Sequence, residues 1–76
     1  MNRTEFAKNL EKISQTAEEA DRIYLKELRD AILKGRSIEH ADDYIDLLLG
    51  IAETCDADLE EKIYPIIDYV TEKSKS

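Results

Sequence analysis

The sequence contains little of the material that builds loops, disulfides and β-sheets. It has two glycines, one proline and one cysteine in 76 residues, and no tryptophan. Runs of β-branched residues alternating with polar ones, the usual signal of strands, are also missing. With 38% charged residues and few turn residues, the composition predicts an all-α chain. Its length supports one helical domain over residues 1–76, because shorter pieces would not each bury a core.

The single cysteine and the lack of long apolar runs limit the settings in which the protein can work. Cys55 cannot close an internal disulfide, and one thiol with one histidine is too few ligands for a structural zinc site. The longest apolar block, residues 47–49, is far shorter than the ~20 residues that a membrane span needs. The N-terminus does not lead into the apolar run of a signal peptide. We therefore expect a cytoplasmic protein with no membrane partner.

Basic residues are missing from one long segment of the chain. Residues 37–61, here called the acidic segment, contain no lysine or arginine. Its acids are Glu39, Asp42, Asp43, Asp46, Glu53, Asp56, Asp58, Glu60 and Glu61. Acids and bases nearly balance elsewhere, so this segment generates the formal net charge of -7. Such a surplus of negative charge argues against nucleic acid or anionic lipid as a partner.

Apolar residues recur at intervals of three and four along most of the chain, which is the spacing of amphipathic helices. The predicted helices cover about residues 3–34, 38–55 and 58–74. Short connections between them predict an antiparallel helical hairpin or three-helix bundle. Pro65 is expected to kink the last helix. The apolar spacing also continues across Asp56, which leaves open whether residues 38–74 form one kinked helix or two.

Local signals mark the expected ends of the helices. Asn2 is the expected N-cap of the first helix, and Ser37 that of the second. Gly35 is the expected stop between them. The spacing from Thr16 to Glu19 also matches a capping box, so a break within the first helix is an alternative. The apolar periodicity continues through that stretch and favours an unbroken helix.

The predicted helices carry more apolar surface than a chain of this size is expected to enclose. The candidate interface residues are Tyr24, Leu25, Leu47, Tyr64 and Tyr69. Filling of the core is the alternative role for such side chains. We expect the surplus to support self-association, with a dimer as the favoured state.

Four acids of the acidic segment crowd into eight residues near the start of the second predicted helix. They are Glu39, Asp42, Asp43 and Asp46. On a helix, like charges at spacings of three and four repel by a few tenths of a kcal/mol per pair. A divalent cation such as Mg²⁺ relieves that repulsion, and so does a basic protein surface. The positive end of the helix dipole and solvent are a third explanation.

Two stretches of the sequence share an order of residues with a known family. Residues 39–61 begin with Glu-His-Ala-Asp-Asp, continue as an apolar helix and a short acidic turn, and end with Leu-Glu-Glu. Residues 18–23 are Glu-Glu-Ala-Asp-Arg-Ile. Both resemble motifs of MazG-like nucleotide pyrophosphohydrolases, Glu-Glu-Leu-Ala-Asp in the first case and Glu-Glu-Ala-Gly-Glu-Leu in the second. The resemblance implies an all-α, Mg²⁺-dependent, dimeric or tetrameric enzyme that hydrolyses nucleoside triphosphates to monophosphate and pyrophosphate.

The resemblance also implies a set of metal ligands. The family's site is Glu-x-x-Glu followed later by Glu-x-x-Asp, and alignment by apolar positions places there Glu19, Arg22, His40 and Asp43. A shift by one residue places there Glu18, Asp21, Glu39 and Asp42. The implied Mg²⁺ ligands are therefore Glu18, Glu19, Glu39, Asp42 and Asp43. No catalytic residue is assigned.

The function expected first is a small protein-interaction module of a chaperone-, immunity- or inhibitor-like kind. Its binding face would be Glu39, Asp42, Asp43 and Asp46. It would need no cofactor, and its partner would be another protein, a second copy or both. The alternative is a MazG-like pyrophosphohydrolase, intact or catalytically decayed, with Mg²⁺ as cofactor. The sequence has no Ser-His-Asp pattern or glycine-rich phosphate loop, which favours a protein that is not an enzyme.

Overall fold

The computed structural model describes residues 1–75, and within them it contains four α-helices and no strand. The helices are α1 (Arg3–Ser14), α2 (Glu19–Leu33), α3 (Ala41–Thr54) and α4 (Ala57–Lys75). The all-α prediction is confirmed for this part of the chain. None of these helices combines the length and the hydrophobicity that crossing a bilayer requires.

The prediction of one helix over residues 3–34 is wrong, because the chain turns back after Ser14. Arg3 at the start of α1 lies beside Gly35 after the end of α2: its guanidinium comes within 3.5 Å of where a Cβ on Gly35 would stand. The two helices therefore pack antiparallel, as a hairpin. Their apolar stripes continue in phase because both stripes face the same core. Periodicity alone does not distinguish that arrangement from a single rod.

The start of α3 also differs from the prediction. Ser37 is not its N-cap, since the helix begins at Ala41 and the preceding residue is His40. The backbone of His40 is left-handed, with φ 57°, and its carbonyl accepts the amide of Asp43 at 3.0 Å. Ile38 packs against the core from the non-helical connection between α2 and α3. That contact holds the chain out of helix where the sequence pattern indicated another turn.

Several predicted helix ends are confirmed. Asn2 Oδ1 accepts the amide of Glu5 at 2.8 Å, which caps α1. Gly35 has φ 70°, and the amides of Gly35 and Arg36 bond back to the carbonyls of Ile32 and Ala31, at 3.1 and 2.9 Å. This pair of bonds is a Schellman motif, in which glycine supplies the left-handed residue. Gly35 therefore ends α2 as expected.

The open question about residues 38–74 is resolved in favour of two helices. Cys55 has extended backbone, with φ -88° and ψ 171°, and Asp56 Oδ1 accepts the amide of Leu59 at 2.9 Å. Asp56 thereby caps α4 and separates it from α3. The helix continues through Pro65. The kink at Pro65 stays a prediction.

One apolar core joins the four helices. It comprises Phe6, Leu10, Ile13, Ala17, Leu25, Leu28, Ile32, Leu48, Ala52, Ile63, Ile66 and Val70. The rings of Phe6 and Tyr69 stack with centroids 4.7 Å apart, which ties α1 to α4. Among the described residues no polar or charged side chain is buried. Among the helix pairs that pack together, α2 and α3 contact each other least. This sparse packing leaves the surface between them open.

Substitution of two adjacent residues of α2 tests which side of that helix the core covers. Leu25 is 1% exposed, whereas Tyr24 is 54% exposed. We expect Leu25→Ala to lower the free energy of unfolding by about 2–5 kcal/mol, through lost burial and the cavity left behind. Tyr24→Ala should cost less than about 1 kcal/mol, because half of its side chain already meets water. Urea denaturation of both variants measures the difference, and equal losses would contradict the packing of α2.

Candidate functional site

The structure divides the five predicted interface residues into two groups. Tyr24 and Tyr64 are each at least half exposed, and Leu47 is half-buried. Tyr69 is half-buried and packs on the core. Leu25 is a core residue, so its assignment to an interface is wrong. The reason is the turn after Ser14, because α1 covers the side of α2 that a straight helix would have left bare.

A groove runs between α2 and α3, where those helices pack least. Three adjoining cavities of about 510, 130 and 650 Å³ form it. Leu47 lines the first and second cavities, and Tyr44 lines the second and third. Neighbouring cavities share a wall residue and therefore adjoin, and the three together are here called the α2–α3 groove. Its apolar floor consists of Tyr24, Tyr44, Leu47, Ile51 and Leu59.

The lining of the α2–α3 groove is strongly acidic. Its carboxylates are Glu18, Asp21, Glu27, Asp30, Glu39, Asp43 and Asp56. Arg36 is the basic residue that lines the same cavities. Acids from α2 therefore meet acids from the acidic segment across one groove. The ligand set implied by the resemblance already pairs Glu18 and Asp21 with acids of the acidic segment, whereas Glu27 and Asp30 belong to no predicted site.

The negative charge acts on groups in the groove. Burial, followed by the neighbouring Glu27 carboxylate, raises the pKa of the Tyr44 phenol. Burial, followed by Glu60 and Asp56, raises the pKa of the Cys55 thiol, which lines the first cavity. Both shifts have the sign expected where charged forms of an acid are disfavoured by low polarity and nearby anions.

The predicted binding face is divided by the groove. Glu39 and Asp43 line it, whereas Asp42 and Asp46 do not. On a helix Asp42 and Asp46 lie one turn apart on the same flank, and the flank of Asp43 differs. All four carboxylates are exposed. The sequence pattern does not specify which of these four carboxylates face α2.

The residues implied as Mg²⁺ ligands do not form the four-acid site of the family. Glu18 lines the first cavity, Asp43 the second and Glu39 the third, while Glu19 and Asp42 line none of them. Within residues 1–75, no group of three or more His, Cys, Asp or Glu side chains is placed to hold a metal ion. A hard cation such as Mg²⁺ needs several oxygen ligands at close range. The Mg²⁺ ligand set implied by the resemblance therefore stays a prediction.

Arg22 has a structural role at a position where the resemblance implies an acid. Its Nε donates to the carbonyls of Ser14 at 3.1 Å and Ala17 at 3.0 Å, and a terminal nitrogen donates to Gln15 at 3.4 Å. The last carbonyls of a helix have no partner within it, so these bonds satisfy the end of α1. Arg22 thereby holds the turn between α1 and α2. An arginine one turn after a possible capping box is the signal that could have predicted this.

Comparison with protein-family models, with curated proteins and with solved structures gives no significant match. The resemblance to MazG-like enzymes therefore rests on its two sequence motifs and stays a prediction. The candidate site is defined by its own geometry, an apolar groove with acidic sides.

The role of Arg22 can be tested by comparing its substitution with that of Lys26, a second basic residue of α2. Lys26 lines the same α1–α2 surface as Arg22 but makes none of the carbonyl bonds. We expect Arg22→Met to lower the free energy of unfolding by about 0.5–1.5 kcal/mol through loss of those bonds. Lys26→Met removes the same charge and should change it by less than about 0.5 kcal/mol. Urea denaturation measures both, and equal effects would show that Arg22 acts through charge alone.

Proposed function

We propose that this protein is an interaction module, not an enzyme, and that it binds basic proteins through its acidic surface and also self-associates. One observation carries the proposal: the α2–α3 groove brings seven carboxylates and one basic residue around an apolar floor. Apolar area provides binding free energy, and complementary charge provides partner selection and fast encounter. A basic protein surface satisfies both conditions.

The chemistry of the described side chains supports a binding role over a catalytic one. The Cys55 thiol has a raised pKa, and His40 is exposed at the start of α3. Within residues 1–75, no three or more His, Cys, Asp or Glu side chains are grouped closely enough to hold a metal ion. A nucleophile, a base and a charge-stabilising group within reach of one another are what hydrolytic chemistry requires. The proposal includes a cytoplasmic setting, which the single cysteine favours.

Self-association is assigned to apolar residues that lie outside the groove. Ile23, Leu33, Leu49 and Tyr64 are exposed, with Ile23 at 59% and Tyr64 at 50%, and none of them lines its cavities. Two copies would each bring a net charge of -7, so a groove-to-groove contact is repulsive. Apolar contact away from the groove is the arrangement that allows a dimer and a basic partner at the same time.

The proposal is tested by combining sedimentation with partner capture. The wild-type chain should sediment as a reversible dimer, and Tyr64→Ser with Ile23→Ser should shift it to monomer, because the double change removes exposed apolar area. Immobilised protein should capture basic proteins in a salt-sensitive manner. A variant in which amides replace the carboxylates of Glu39, Asp42, Asp43 and Asp46 should lose most of this capture. A strictly monomeric chain that captures nothing would contradict the proposal.

A further inference from the structure

The α2–α3 groove has the dimensions of a site for a single helix. Along α2 its lining extends from Glu18 to Ala31, which is about 20 Å at 1.5 Å per residue. We propose that the groove binds one basic amphipathic helix of a partner protein. This inference rests on the proposed interaction function and specifies the secondary structure and charge of the bound segment.

The floor of the groove is an apolar stripe that packs against the core and is only partly covered by it. On α3, Leu48 and Ala52 are buried in the core, whereas Tyr44, Leu47 and Ile51 are half-buried and line the groove. The steps of three and four between the latter residues place them along one flank of the helix. An amphipathic helix binds such a flank through apolar residues at the same spacing. The apolar side of α3 is thus wider than the stripe that the fold buries completely.

Gly50 supports the approach of a helix to this surface. It lies in the middle of α3 and lines the groove, and a Cβ built on it would meet no atom within 4 Å. Glycine within a helix lowers helix stability relative to alanine. Neither a turn nor close packing inside the chain explains glycine at this position. Its missing side chain leaves room beside Ile51 for the backbone or a large side chain of a bound helix.

The charge of the groove determines the kind of helix. Glu18, Asp21 and Asp56 surround its first cavity, and acids of α2 with Glu39 surround the third. A bound helix therefore meets carboxylates at both ends of its apolar stripe. Lysines and arginines that flank the stripe satisfy them, whereas an acidic segment or a nucleic acid is repelled. A second copy, with its net charge of -7, is a poorer occupant than a basic partner.

The probe for this proposal is a labelled 14-residue peptide of leucine and lysine, with leucines at positions 1, 4, 8 and 11. A comparison peptide has the same composition but scattered leucines, so it has the same charge and no apolar face. Fluorescence anisotropy at physiological ionic strength measures both affinities. The ordered peptide should bind about tenfold more tightly or better, because it alone fills the groove floor. Equal affinities would overturn the proposal, since charge alone would then explain the binding.

Two pairs of amide substitutions localise the binding. Glu39→Gln with Asp43→Asn removes two charges that line the groove, and Asp42→Asn with Asp46→Asn removes two that do not. The first pair should weaken binding about fivefold or more, and the second no more than about twofold, because close charges interact most strongly. Equal weakening would reject the groove as the site but would leave the proposed acidic interaction surface standing.

Gly50→Gln separates binding from folding. Glutamine is a better helix former, so the variant should melt at a higher temperature than the wild-type chain. Its side chain enters the groove and should weaken binding of the ordered peptide about tenfold through steric exclusion. The bound peptide should also slow alkylation of Cys55, which lines the same cavity. Unchanged affinity in Gly50→Gln would contradict the proposal.

The same reagents test the other possible occupant. If the ordered peptide dissociates the wild-type dimer, and if Gly50→Gln is monomeric without peptide, the groove is occupied by a second copy. That result would overturn the assignment to a basic helix. A dimer that persists with peptide bound supports it, because dimer contact and helix binding then use different surfaces.

Discussion

The turn that folds α2 back onto α1 is the constraint on which the rest of the structure depends. Arg22 donates to the carbonyl of Ser14 at the end of α1 and to that of Ala17 in the connection, where Ala17 is also buried. With the turn in place, Leu10 and Leu25 contribute to the same core, and one flank of α2 remains directed toward α3. The small contact between α2 and α3 leaves the groove open. An uninterrupted helix would have removed both the shared core and the groove.

Charge is distributed unevenly around α2, so one flank of the helix is basic and the other is acidic. Arg22, Lys26 and Arg29 line the α1–α2 surface, whereas Asp21 and Glu27 line the α2–α3 groove. A net charge alone would attract a basic partner to the whole molecule, but this arrangement focuses the attraction on the groove. In the proposed interaction, the apolar floor converts a nonspecific encounter into a specific one. Opposite flanks of one helix thus stabilise a turn and line the groove to which binding is proposed.

Sequence reasoning succeeded where the signal was local and failed where it depended on tertiary packing. Asn2 and Gly35 act as predicted, because a cap and a left-handed stop are decided by a few neighbouring residues. From the sequence, the break at residues 15–18 is only an alternative, since an apolar period of 3.6 is the same for one helix and for two that share a core. Ser37 failed as a cap because Ile38 packs on the core. The groove depends on which flank of α3 stays uncovered, and no local pattern specifies that.

The distance between the start of α1 and the end of α2 distinguishes the helical hairpin from one continuous helix. Spin labels at Glu5→Cys and Lys34→Cys, in a Cys55→Ala background, allow pulsed electron paramagnetic resonance to measure it. Packed helices lie about 8–10 Å apart, so the account predicts a single distance below about 25 Å. A continuous helix would separate the labels by about 44 Å, at 1.5 Å per residue. The structure has a longest extent of 31 Å. A dominant peak near the longer distance would contradict the fold and the groove that depends on it.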